Sequence, residues 1–160
     1  MNHTYVFIHG LESTSQGTKG QYFRRHFPEM IIEDYTGDFN TRMTKLNVLL
    51  SGKNNLILIG SSYGGLMASV FAAKNESLIT KMILLAPALL LPEFSPYLHM
   101  VLNIPVIIYH GTQDIIVDPV VVKKIASSIY PALEHHMVVD DHPLTATFPL
   151  LDWNKILQIG

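Results

Sequence analysis

Ser62 lies in the run Gly60-Ser61-Ser62-Tyr63-Gly64, a Gly-x-Ser-x-Gly spacing that follows the apolar stretch Leu56 to Ile59. That spacing marks a sharp strand-to-helix turn, a nucleophile elbow. The two glycines let neighbouring backbone pass close by, and the serine hydroxyl projects from the turn. A serine hydroxyl is a poor nucleophile near neutral pH and needs a base. The chain has eight histidines, and His142 is the one that follows the last expected strand. It can take the serine proton and return it to a leaving group. An acid that holds the imidazole in the correct tautomer completes the set. Asp114, in His110-Gly111-x-x-Asp114, is the preferred candidate. Asp118 is its rival, although its place before Pro119 suits a helix cap. Together these residue types carry nucleophilic acyl transfer.

Those residues need rigid elements to hold them. Apolar runs at Tyr5–Ile8, Met30–Ile32, Leu56–Ile59, Met82–Leu85, Pro105–Tyr109 and His136–Val139 read as six strands. Helical segments are expected at about 19–27, 41–50, 63–75, 119–130 and 148–158, between and after the strands. Strand and helix in alternation imply a parallel sheet covered on both faces. In such sheets ligands bind beyond the carboxyl ends of the strands. His9, Ser62, Asp114 and His142 all follow strands, at that edge. His9 and His110 fit turn positions beside glycines. His135 and His136 fall at the start of the last strand and read as surface residues, and Asp140 and Asp141 as turn or rim residues.

Composition narrows the function classes. Hydrophobic residues are 48% of the 160-residue chain and charged residues 15%, which fits one globular domain over residues 1–160. A formal net charge of −2 without long charged runs gives no support for nucleic-acid or anionic-membrane partners. Cysteine is absent, which removes disulfides, thiolate metal sites and a cysteine nucleophile. No apolar run reaches membrane-spanning length and no signal-peptide pattern opens the chain, so a cytoplasmic location is expected. His135-His136 and Asp140-Asp141-His142 resemble a metal cluster only in composition, since adjacent strand residues point to opposite faces. The glycines lack phosphate-loop spacing. No cofactor is expected; the anticipated partner is a small ester, and the oligomeric state is open.

The chain resembles the α/β-hydrolase superfamily, and most closely its compact, lidless bacterial esterase-like branch. The resemblance is carried by His9-Gly10 after the first strand, Gly60-Ser61-Ser62-Tyr63-Gly64, His110-Gly111-x-x-Asp114, and Asp141-His142 after the last strand. Ser, then Asp, then His is that superfamily's order. The chain departs from the pattern in beginning on the His-Gly strand, without two leading antiparallel strands. It also carries only 86–104 where a cap domain is usually inserted. The resemblance implies a three-layer α/β/α sandwich on a mainly parallel six-stranded sheet of order 2-1-3-4-5-6. It implies a Ser62-His142-Asp114 triad and an oxyanion hole of backbone N–H groups, from Tyr63 and from the loop after the first strand. Leu11 is the favoured donor in that loop and Glu12 the near alternative.

Two function classes follow. One is a serine hydrolase of small carboxylic esters or thioesters working through an acyl-enzyme. The other is a non-catalytic binding or interaction protein built on the same fold. Within the first, the missing cap predicts short acyl groups and no activation at a lipid interface. The segment Ala88–Phe94 is an acyl-pocket wall, ordinary core or a dimer contact.

Overall fold

The structure is a computed structural model and describes residues 2–158. Six strands form one sheet: β1 (Thr4–Ile8), β2 (Ile31–Ile32), β3 (Leu56–Ser61), β4 (Ile79–Leu85), β5 (Val106–Gly111) and β6 (Leu133–Val138). Their order is β2-β1-β3-β4-β5-β6 and every pairing is parallel. Parallel strands need crossovers, which α1 (Thr18–His26), α2 (Phe39–Leu50), α3 (Tyr63–Lys74) and α4 (Pro119–Ile129) supply.

The sheet separates two cores because successive strand residues face opposite ways. On β3, Leu56 and Leu58 join one core while Ile57 and Ile59 join the other. The first core holds Met43 and Leu46 of α2, Leu66 and Val70 of α3, and Val122 and Ala126 of α4. The second holds Phe23 of α1 with Phe148, Trp153 and Leu157 from the C-terminal segment. Helix α3 is buried along Gly64–Ala72 on every side, beyond the single apolar face its periodicity suggests. Its outer side is covered by a 3₁₀ segment, Pro92–Tyr97, whose Phe94 is fully buried. That segment lies in the connection between β4 and β5.

Three expectations need correction. The C-terminal helix expected over 148–158 is a 3₁₀ turn, Phe148–Leu150, then a one-turn helix α5, Trp153–Ile156. Leu151 is extended, and the Asp152 carboxylate accepts the Lys155 N–H at 3.1 Å, restarting the helix with a new cap. Strand β6 begins at Leu133, paired with Val106, so His135 and His136 sit within the strand and not at its start. Strand β5 runs on through His110 and Gly111, so His110 is a strand residue with a fully buried side chain and not a turn residue. Among the described residues no helix is long and apolar enough to cross a membrane.

Candidate active site

The elbow is built as its spacing demands. Ser62 has φ 55° and ψ −112°, a conformation that costs a non-glycine residue about 1–3 kcal/mol and persists only where the surroundings enforce it. The enforcement is visible. Ser62 N–H donates to the Leu85 carbonyl at 2.8 Å, and the Ser62 carbonyl accepts from Gly65, Leu66 and Ala88 N–H groups. A Cβ on Gly60 would lie 2.5 Å from the Gly64 carbonyl oxygen, and one on Gly64 would run into the Ile8 and His9 carbonyls. The helix α3 is thereby drawn against β1 and β3, and the Ser62 hydroxyl is left free of any capping bond.

The structure brings Ser62, His142 and Asp114 into one hydrogen-bonded line. Ser62 Oγ is 2.9 Å from His142 Nε2, and His142 Nδ1 is 2.6 Å from Asp114 Oδ2. The other Asp114 oxygen accepts the Ile116 and Val117 N–H groups, both at 2.8 Å. Burial works against the Asp114 charge. The Val117 N–H, His142 and the Ile116 N–H outweigh it and hold the carboxyl below its ordinary value. Asp118 stands apart from this line. Its carboxylate accepts the Val120 and Val121 N–H groups at 2.9 and 3.3 Å as the N-cap of α4.

The loop that carries His142 is braced from within. Asp140, buried, accepts N–H groups from Asp141 at 2.8 Å, Ala146 at 3.1 Å and Thr147 at 2.7 Å. Burial opposes its charge, but the Thr147 side chain and these N–H groups bring its pKa down to about 2. Leu144 adopts φ 56° with its side chain fully buried in the second core. Lys19 Nζ donates to the Pro143 carbonyl at 2.6 Å, tying α1 to the same loop. Asp141 stays at the exposed rim, bonded to Thr145.

Facing Ser62 across the sheet edge is the loop after β1. His9 is buried, with Nδ1–H donating to the Gly10 carbonyl at 2.7 Å and Nε2 accepting the Tyr35 N–H at 2.9 Å. Those two partners set a neutral tautomer, and burial pushes its pKa down. His9 is therefore a brace between this loop and the segment before α2, which a turn position beside a glycine does not convey. Among the described residues, the Leu11, Glu12 and Tyr63 N–H groups have no protein partner. All three residues line the cavity over Ser62.

That cavity has a volume of about 590 Å³. Its apolar lining includes Ala88, Leu90, Leu91, Ile116 and Val117. Within the segment Ala88–Phe94, Leu89 and Phe94 go instead to the core. His135 and His136 lie outside the site, and the surface reading holds only for His136. His136 stacks on Tyr109 at 4.6 Å and pairs with Glu134, whereas both ring nitrogens of His135 are buried without a partner among the described residues. Burial, with help from Lys123, takes the His135 pKa down to about 4. Sequence reasoning missed the roles of His9 and His110; only their position directly before glycines at strand ends hinted at them.

A family model described as serine aminopeptidase, S33 (Hydrolase_4) matches residues 9–104, more than half of the chain. The chain belongs to this family, and with it to the α/β-hydrolase superfamily. It is a hydrolase. No curated protein matches it. Solved structures share the fold at low identity. A yden-like hydrolase from Pectobacterium atrosepticum is 22% identical, with a TM-score of 0.74 over 96% of this chain and 85% of that one. Alpha/beta hydrolase domain-containing protein 10 from mouse is 20% identical, with a TM-score of 0.72 over 88% and 82%. Est1E from Butyrivibrio proteoclasticus with bound ferulic acid is 16% identical, with a TM-score of 0.75 over 93% and 84%.

Proposed function

We propose that this hydrolase cleaves carboxylic esters or thioesters through an acyl-enzyme on Ser62. The observation that supports the reading is the unbroken line from Ser62 Oγ through His142 to Asp114, at 2.9 and 2.6 Å. As Oγ attacks the carbonyl carbon, its proton passes to His142 Nε2, and Asp114 stabilises the imidazolium. The oxyanion that forms faces the Leu11 and Tyr63 N–H groups. Collapse expels the alcohol or thiol, which takes the proton from His142. Water then attacks the acyl group by the same route and frees Ser62.

The acyl group lies along Ala88, Leu90, Leu91, Ile116 and Val117. Each methylene buried there contributes about 0.8 kcal/mol, roughly a fourfold gain in rate when the contact is made in the transition state. With p-nitrophenyl esters the rate should climb from acetyl to butyryl and then fall, because the cavity mouth has no cap. No jump should occur at the micellar threshold. A maximum at eight carbons or more would overturn this chain-length reading.

The deciding experiment is labelling with a fluorophosphonate, followed by peptide mapping. Modification should fall on Ser62 and not on Ser61. Ser62→Ala should lower turnover by about a million-fold with the fold intact. The family description and one residue favour a second reading, cleavage of an amino-terminal residue: Glu12 is the carboxylate among the residues lining the cavity. Amino-acid p-nitroanilides turned over faster than matched esters, with loss on Glu12→Gln, would select it. Absence of labelling and of turnover on both substrate types would leave a non-catalytic binding protein.

A further inference from the structure

We propose that His110 is a positioning residue for the acid of this site: its neutral imidazole donates Nε2–H to the same Asp114 oxygen that accepts from His142, and so fixes where that oxygen points and how strongly it draws on His142. This role rests on the serine-hydrolase reading above.

Asp114 Oδ2 is 3.0 Å from His110 Nε2 as well as 2.6 Å from His142 Nδ1. A carboxylate oxygen only accepts, so both imidazole nitrogens must carry the hydrogen. His110 Nε2 is also 3.1 Å from the Val117 carbonyl, again an acceptor only. Its N–H is therefore forked between Asp114 and Val117, and the tautomer is fixed. The other nitrogen, Nδ1, is buried and has no partner among the described residues. A proton there would place an unpartnered donor and a charge in a fully buried ring. Asp114 and the Val117 carbonyl favour the charged ring; His142, and His135 on the neighbouring strand with Lys123 of α4 beside it, do not. Burial is the largest influence, and His110 stays neutral.

Neutrality is what the site needs from this donor. A lysine or arginine in its place would cancel the Asp114 charge that the His142 imidazolium depends on. A neutral N–H leaves the charge in being and divides Oδ2 between two partners. With Ile116 and Val117 on Oδ1, the carboxylate takes four hydrogen bonds, and rotation about its Cβ–Cγ bond would break them all. Without His110, Oδ2 loses the partner that fixes its direction toward His142, which slows turnover, and the carboxylate, no longer shared, becomes more basic and keeps the imidazolium to higher pH.

Three substitutions separate this role from space filling. His110→Phe keeps a ring and removes the donor. His110→Gln carries an amide N–H at about the reach of Nε2, whereas His110→Asn carries one at the reach of Nδ1. With p-nitrophenyl acetate, the Phe variant should lose about tenfold in kcat with KM changed less than about twofold, and the acid limb of kcat/KM should move to higher pH. The Gln variant should recover most of both; the Asn variant should recover neither. The downfield proton resonance of the His142 Nδ1–H gives a readout independent of turnover, and it should shift in the Phe variant and return in the Gln variant. Should the Phe variant fail to fold, the Gln and Asn pair carries the comparison. An unmoved acid limb and resonance in the Phe variant, or equal recovery by Asn and Gln, would overturn the role. Wild-type protein that neither turns over esters nor takes the fluorophosphonate would instead overturn the serine-esterase reading, and the resonance would still decide whether His110 acts on the Asp114–His142 bond.

Discussion

Asp114 and Asp140 occupy matching places, just beyond the carboxyl ends of the neighbouring strands β5 and β6, and are 7% and 6% exposed. Each is held below its ordinary pKa against the pull of burial. Their oxygens are used differently. Asp140 gives both to backbone N–H groups of its own loop, at Asp141, Ala146 and Thr147. Asp114 gives one oxygen to its loop and turns the other to two imidazoles. Burial and charge do not distinguish a carboxylate that only shapes its loop from one that also reaches imidazoles of other elements. The direction of its second oxygen does.

The largest effect that tests this contrast is expected at Asp114. Asp114→Asn keeps the shape but favours the wrong imidazole tautomer at His142, and turnover should fall roughly ten-thousand-fold. Ester kinetics beside thermal unfolding of the same variant would check it. A loss under tenfold would return Asp118 to contention as the acid. Asp140→Asn should show the opposite balance. It removes charge-assisted bonds, each contributing about 1.5–3 kcal/mol, so denaturant unfolding should register a loss of that order. Activity should fall far less than at Asp114, through displacement of the His142 loop.

The two carboxylates also set an acid dependence of stability. Asp140 titrates near 2 in the folded chain and at about 3.9 when unfolded. Its contribution is complete above the unfolded value and is lost as pH falls through the folded one. Asp114, also lowered, adds a loss of the same sign. Melting temperatures between pH 5 and 2 should therefore drop less steeply in Asp140→Asn than in the parent. Equal slopes would show that Asp140 is not linked to folding. The smallest effect belongs to Asp118→Ala, which removes the cap of α4. It should cost about 0.5–2 kcal/mol of stability with ester turnover unchanged.

The elements holding the site were legible because their signals are local. Strand β3 and the elbow read directly from Leu56–Ile59 and Gly60-x-Ser62-x-Gly64, since steric crowding at the turn restricts which residues fit. The start of the last strand is not legible, because Leu133-Glu134-His135 carries too little apolar character to read as strand. Pairing with Val106 and Ile107, a contact far along the chain, makes it one. The break in the C-terminal helix is not legible either, because the apolar spacing continues past Leu151 while Asp152 competes as a cap.

The sequence by itself determined the alternation of strands and helices, the strained serine turn and the residue types at each strand end, because each follows from neighbours within a few positions. The position of His142 after the last strand singles it out in the sequence, but only the tertiary structure decided the roles of His9 and His110. Both lie at strand ends directly before glycines, and nothing local tells them apart. His142 lies 2.9 Å from Ser62, His9 braces the Gly10 carbonyl and Tyr35, and His110 underlies Asp114. The cause is long-range. Which hydrogen-bond partners an imidazole meets, and how far burial suppresses its charge, depends on residues that the sheet order brings together from distant parts of the chain.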